Sequence, residues 1–70
     1  MKEQIRNVLQ KMLSLDMGED FNVRQLNECM TLNRLSYSLG IIESAEYVDN
    51  RDMILAYAKK LHITSKIKYR

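Results

Sequence analysis

The chain of 70 residues contains no proline and only two glycines, Gly18 and Gly40. Proline and glycine are the residues that break helices and make the tight turns of β folds. A chain this poor in both is directed toward a few long helices and away from a many-turned sheet. Its 46% hydrophobic and 29% charged content is an ordinary globular balance, not that of a disordered segment. At this length folding buries only about 60% of the surface of the unfolded chain, so small domains usually add disulfides, a metal or a second subunit. The single cysteine, Cys29, and single histidine, His62, exclude an intrachain disulfide and a Cys/His zinc centre, which needs about three or four ligands.

Helical periodicity organises the chain. Ile5, Val8, Leu9, Met12 and Leu13 fall on one face of a helix from Lys2 to about Leu15, with charge on the other face. Gly18, within Asp16-Met17-Gly18-Glu19-Asp20, is the natural stop. Asn22 followed by Gln25 resembles a capping box, so a second helix is expected to begin near Val23 with Phe21 stapling onto Leu26. Asn33 and the Thr31-Leu32 pair interrupt its stripe. A break near Thr31 and a separate helix from Asn33 to Leu39 is therefore preferred to one run ending at Gly40. Asp49-Asn50-Arg51-Asp52 reads as a further stop and start, with a last helix from Arg51 to about His62. Leu9, Leu26, Leu39, Ile42 and Leu61 are expected in the core. The fold class is all-α: a compact bundle of three to four short helices over residues 1–62, followed by a basic tail, 63–70. Removing 64–70 is expected to leave the helices intact.

Few residues here support catalysis. The two glycines are too far apart for a phosphate loop. His62 stands at a helix end with no Ser/Asp pattern around it. Asp16, Glu19 and Asp20 lack the alternating ligands and distal Glu of a calcium loop. Cys29 beside Glu28 reads as a buried small hydrophobe with a disfavoured thiolate. No enzyme, metal or cofactor is expected. The longest apolar run, Met53 to Ala58, is too short to cross a bilayer, which takes about 20 residues. With no apolar leader segment at the N-terminus and one unpaired cysteine, a cytoplasmic location is expected.

One pattern suggests nucleic acid. Over Val23 to Ile42, the residues Leu26, Met30, Leu32, Asn33 and Tyr37 match the apolar and capping places of a helix-turn-helix. Asn27, Thr31 and Gly40 depart from it. The electrostatics also oppose it, because Arg24 and Arg34 are the only cations in that segment and phosphate neutralisation supplies most DNA affinity. Net charge is −1 over residues 1–21, −2 over 22–50 and +5 over 51–70. The basic end carries Lys59, Lys60, Lys66, Lys68 and Arg70 with no acid among them. Such a cluster attracts an acidic partner or a phosphate backbone.

These observations predict a small non-enzymatic regulatory or inhibitory protein acting through protein–protein contacts, with Lys59, Lys60, Lys66, Lys68 and Arg70 as partner-binding residues. The alternative is a helix-turn-helix transcriptional regulator using Arg24 and Arg34. Leu15, Leu32, Ile41 and Leu55 are apolar residues left over once each helix has one buried face, which suggests a homodimer.

Overall fold

The computed structural model describes residues 2–68. Three helices carry the fold: α1, Lys2–Leu13; α2, Glu19–Ser38; and α3, Ser44–Lys60. A single 3-10 turn, Thr64–Lys66, follows, and there is no strand among the described residues. The contacts fix an up-down-up order. Arg6 near the start of α1 meets Asn50 early in α3, and Leu13 shares a pocket with Tyr57 and Leu61 late in α3. That pocket also holds Asn22 and Leu26 near the start of α2, while Asn33 further along α2 meets Asn50, so α2 runs antiparallel to both. At about 1.5 Å per residue α2 is about 30 Å long, close to the 32 Å long dimension of the molecule.

The second helix differs from the sequence expectation in two ways. It starts at Glu19 rather than near Val23, with Gly18 as its N-cap at φ 100° and two acids in the first turn, where they complement the helix dipole. It also runs through Thr31 without a break. Both polar signals that suggested a break are used otherwise. The Thr31 hydroxyl donates back to the Asn27 carbonyl at 3.1 Å, a bond compatible with a helix interior. Asn33 caps nothing; it is 1% exposed and points into the bundle. Asn22 is likewise inside the helix. Its amide donates to Asp16 Oδ1 at 2.8 Å and accepts from the Met17 N–H at 3.2 Å, which pins the α1–α2 connection.

The same correction applies to Asp49-Asn50-Arg51-Asp52, which lies inside α3. The helix begins earlier, where Glu46 reaches back to accept the Glu43 N–H at 2.9 Å. Asn50 is 2% exposed because it joins a buried polar chain through all three helices. Arg6 Nη1 donates to Asn50 Oδ1 at 2.9 Å, Asn50 Nδ2 to Asn33 Oδ1 at 3.0 Å, and Asn33 Nδ2 to the Tyr47 carbonyl at 2.9 Å. Buried amides are tolerated when satisfied and costly when not. Among the described residues no buried side-chain nitrogen or oxygen lacks a partner.

Below this layer lies the apolar core of Leu9, Leu13, Leu26, Cys29, Met30, Ile54, Ala58, Ile63 and Ile67. Leu9, Leu26 and Ile42 are buried as expected, and Leu61 is half-buried. Leu39 is the exception, at 74% exposed. It is the C-cap of α2, and Gly40 at φ 75° turns the chain away immediately after it. The expected face is displaced because α2 is one helix whose inward register is set by Asn22, Leu26, Cys29, Asn33 and Ser36.

Residues from the segment set apart as a basic tail complete the core. After α3, the Ile63 N–H bonds the Ala58 carbonyl at 3.0 Å and the His62 N–H bonds Lys59 at 3.1 Å. This is a Schellman closure, with His62 at φ 59° in the left-handed place usually given to glycine. It turns Ile63 and then Ile67, 4% exposed, onto the bundle. Tyr69 and Arg70 lie outside the described residues.

Two stability tests arise from this packing. Asn50→Ala strands Asn33 and Arg6 and should cost about 2–3 kcal/mol, whereas the double change Asn33→Leu with Asn50→Leu should recover much of that loss, read by thermal or urea unfolding. Deleting 64–70 removes the buried Ile67 and should cost at least about 2 kcal/mol; an unchanged unfolding midpoint would contradict the placement of Ile67.

Candidate partner-binding groove

The outward face of α2 carries an open groove. Arg24, Glu28, Thr31 and Leu35 follow one another at helical spacing on the side opposite Asn22, Leu26, Cys29 and Asn33. One wall is supplied by the C-terminal segment, which Asn27 holds with both ends of its amide. The Lys68 N–H donates to Asn27 Oδ1 at 2.8 Å, and Asn27 Nδ2 donates to the Lys66 carbonyl at 3.4 Å. The Lys66 ammonium pairs with Glu19 on the first turn of α2. These contacts leave a groove of about 530 Å³ whose lining includes Arg24, Asn27, Glu28, Leu32, Leu35 and Lys68.

The apolar part of this face continues past the groove. Leu35 is 48% exposed, and Leu39, one turn further, is more exposed still. With Leu32 they make an i, i+3, i+7 series on α2. Such a series is how a helix presents a stripe to a partner. The charge lies at the other end, where Arg24 and Lys68 line the groove with Glu28 one turn on from Arg24.

The sequence-predicted site residues are distributed unevenly over the molecule. Arg24 and Lys68 come together in the groove, although they are 44 positions apart in the sequence. Lys66 is engaged by Glu19. Lys59 and Lys60 sit exposed in the last turn of α3, with the Lys60 ammonium 6.0 Å from the centre of the Tyr57 ring. Arg70 lies outside the described residues. Arg34 is exposed further along α2. Because Arg24 and Arg34 share one unbroken helix, residues 23–42 do not form a helix-turn-helix, and no separate recognition helix carries Arg34. Of the four residues offered for a homodimer, Leu15 is exposed, while Leu32, Ile41 and Leu55 are half-buried.

Asn27, Leu35 and Leu39 were not singled out by the sequence as surface-binding residues. Leu35 and Leu39 were readable as a pair one turn apart, but that spacing equally fits a core face. Asn27 gave no local signal, since its partners are 39 and 41 residues away.

Several other features are tied to the helix contacts. A cleft of about 230 Å³ is lined by Glu3, Arg6, Glu46, Asp49 and Asn50, below the roughly 300–1,000 Å³ of ordinary ligand sites. Arg6 and Glu46 there already serve Asn50 and Glu43. Among the described residues no three His, Cys, Asp or Glu side chains are placed to hold a metal ion. Tyr37 stacks on Tyr47 with ring centres 4.8 Å apart, and Arg51 lies 5.9 Å from the Tyr47 ring centre. This cluster ties the end of α2 to α3.

Cys29 is fully buried, with its Sγ 3.9 Å from Met12 Sδ. Burial, assisted by Glu28, raises its pKa from 9.0 to about 11, so the thiol is neutral and unreactive in the fold.

No family model matches the chain, and neither does any curated protein or solved structure. No helix among the described residues is long and apolar enough to cross a membrane.

The thiol gives a signed pH test. A raised folded pKa means the unfolded chain loses its proton first, so stability attributable to Cys29 is complete below about pH 9 and declines as pH rises through about 11. Urea unfolding of wild type and Cys29→Ala at pH 7 to 11 should show the wild type losing stability relative to the variant above pH 9. Parallel curves would contradict burial of the thiol.

Proposed function

We propose that this chain is a small non-enzymatic regulatory or inhibitory protein that works by docking on another protein through the outward face of α2. The observation that carries this reading is the exposure of Leu35 and Leu39 in line with the groove, at the end of a helix whose opposite face is buried. An exposed apolar stripe beside a charged rim is the composition of a protein-contact surface. Arg24 and Lys68 belong to that rim, which gives two of the sequence-predicted cations a place in the contact. Lys59 and Lys60, on the last turn of α3, would act at longer range by speeding encounter with an acidic partner.

The DNA-binding reading is weaker. Its turn is absent from α2, and the helix carries Glu19, Asp20 and Glu28 against Arg24 and Arg34. A homodimer through the α2 stripe is the other outcome to be separated.

The test is affinity purification from the native host, with and without nuclease, using wild type and the double variant Leu35→Glu with Leu39→Glu. Both positions are exposed, so the variant should keep its helicity and unfolding midpoint within about 0.5 kcal/mol. A defined protein retained after nuclease treatment, and lost with the double variant, is the expected result. Retention that vanishes with nuclease, or that survives the double variant, would overturn the proposal.

A further inference from the structure

We infer that the occupant of the α2 groove is an amphipathic helix of the partner, apolar along one stripe and acidic at the end of that stripe that lies over Arg24 and Lys68. This rests on the protein-docking reading above and adds the chemistry of what docks.

The shape comes first. Leu32 and Leu35 lie on α2 and Leu39 is its C-cap residue, and a second helix laid along α2 meets this i, i+3, i+7 series with its own. A groove of about 530 Å³ walled by the segment held on Asn27 takes side chains from such a helix along its length. Polarity follows from charge. Arg24 and Lys68 lie at the groove, remote from Leu39, and Lys66 beside them is already neutralised by Glu19. Among the described residues, Arg24 and Lys68 therefore remain as the two cations facing the occupant. Glu28, one turn from Arg24 toward the leucines, opposes a carboxylate at the next position. A uniformly acidic segment is therefore disfavoured, and acids confined to one end of an apolar stripe are favoured.

A second copy of the chain fits less well. An antiparallel pair of α2 helices that sets Leu35 against Leu35 places Arg24 opposite position 46, beyond the end of the other α2 at Ser38. Sliding the pair to cover Arg24 sets Leu35 and Leu39 against Glu28 and Arg24. Neither register satisfies the apolar stripe and the cations together.

The probe is a phage-displayed library of helical peptides about four turns long, randomised on one face. It is panned against wild type, Leu35→Glu with Leu39→Glu, and the charge reversal Arg24→Glu with Lys68→Glu. The altered side chains of the reversal are exposed, and the Lys68 backbone bond to Asn27 is retained, so the fold should persist; an unchanged unfolding midpoint verifies this. Wild type should enrich peptides with Leu, Met or Phe at i, i+3 and i+7 and with Asp or Glu at one end. Charge reversal should change that end to Lys or Arg and weaken the original peptides about tenfold or more.

Peptides enriched without a charged end, a preference that ignores the reversal, or no enrichment over the leucine variant would each overturn the inference. So would sedimentation showing self-association that depends on Leu35, or groove signals in amide NMR spectra perturbed by duplex or single-stranded nucleic acid. Failure here, with native capture still dependent on Leu35 and Leu39, would reject the helical occupant and leave protein docking standing. Failure of both would reject the docking surface.

Discussion

The chain of hydrogen bonds from Arg6 through Asn50 and Asn33 to the Tyr47 carbonyl sets the register of the whole bundle. Each of the three helices contributes a link. A shift of any helix by one residue would leave a buried amide without a partner, at a cost of about 1–3 kcal/mol for each group. In a domain of this size that is a large fraction of the total stability. Apolar contacts alone would tolerate such slips, because leucine and isoleucine accept many neighbours. The amides therefore supply the specificity of alignment, and the core beneath them supplies most of the burial.

That alignment has a consequence at the surface. Asn33 can face inward only if α2 continues through Thr31 in the same helical phase as Leu26 and Cys29. Continuity then puts Arg24, Glu28, Thr31 and Leu35 together on the outward side and carries Leu39 to an exposed C-cap. The C-terminal segment reaches α2 through a second asparagine, Asn27. Asn27 occupies the place where a helix-turn-helix needs a small residue, and in this fold its length is what lets it hold the backbone at Lys66 and Lys68. One residue that argued against a DNA reader, Asn27, thus holds one wall of the groove.

Much of the fold was legible in the sequence. The absence of proline and the apolar periodicity of Ile5, Leu9, Met12 and Leu13 indicated α1 and an all-α bundle. The errors share one cause. Asn22, Asn33 and Asn50 are residue types favoured at caps and turns, so a local reading placed helix boundaries at or beside each of them. In the structure all three lie inside helices: Asn22 is satisfied by Asp16 and Met17 just upstream, and Asn33 and Asn50 by tertiary partners. Those partners are distant in sequence for Asn33 and Asn50, and no local window contains them. Leu39 was assigned to the core for a related reason: a face built on a helix restarting at Asn33 has a different phase from one running from Glu19. The basic end was visible as charge. The burial of its apolar residues Ile63 and Ile67 depends on the closure at His62, where a non-glycine residue adopts a left-handed conformation. The groove itself joins Arg24 to Lys68, a contact that sequence spacing does not reveal.

Everything proposed about the surface requires α2 to be one rigid helix. Amide hydrogen exchange, followed residue by residue in the free protein, tests this directly at positions 30 to 36. An unbroken helix locked by Asn33 predicts that these amides exchange among the slowest in the molecule, through the same opening that unfolds the bundle. Fast exchange confined to Thr31, Leu32 and Asn33, with slow exchange on either side, would instead reveal a turn at that point. It would dissolve the outward face on which the groove is built.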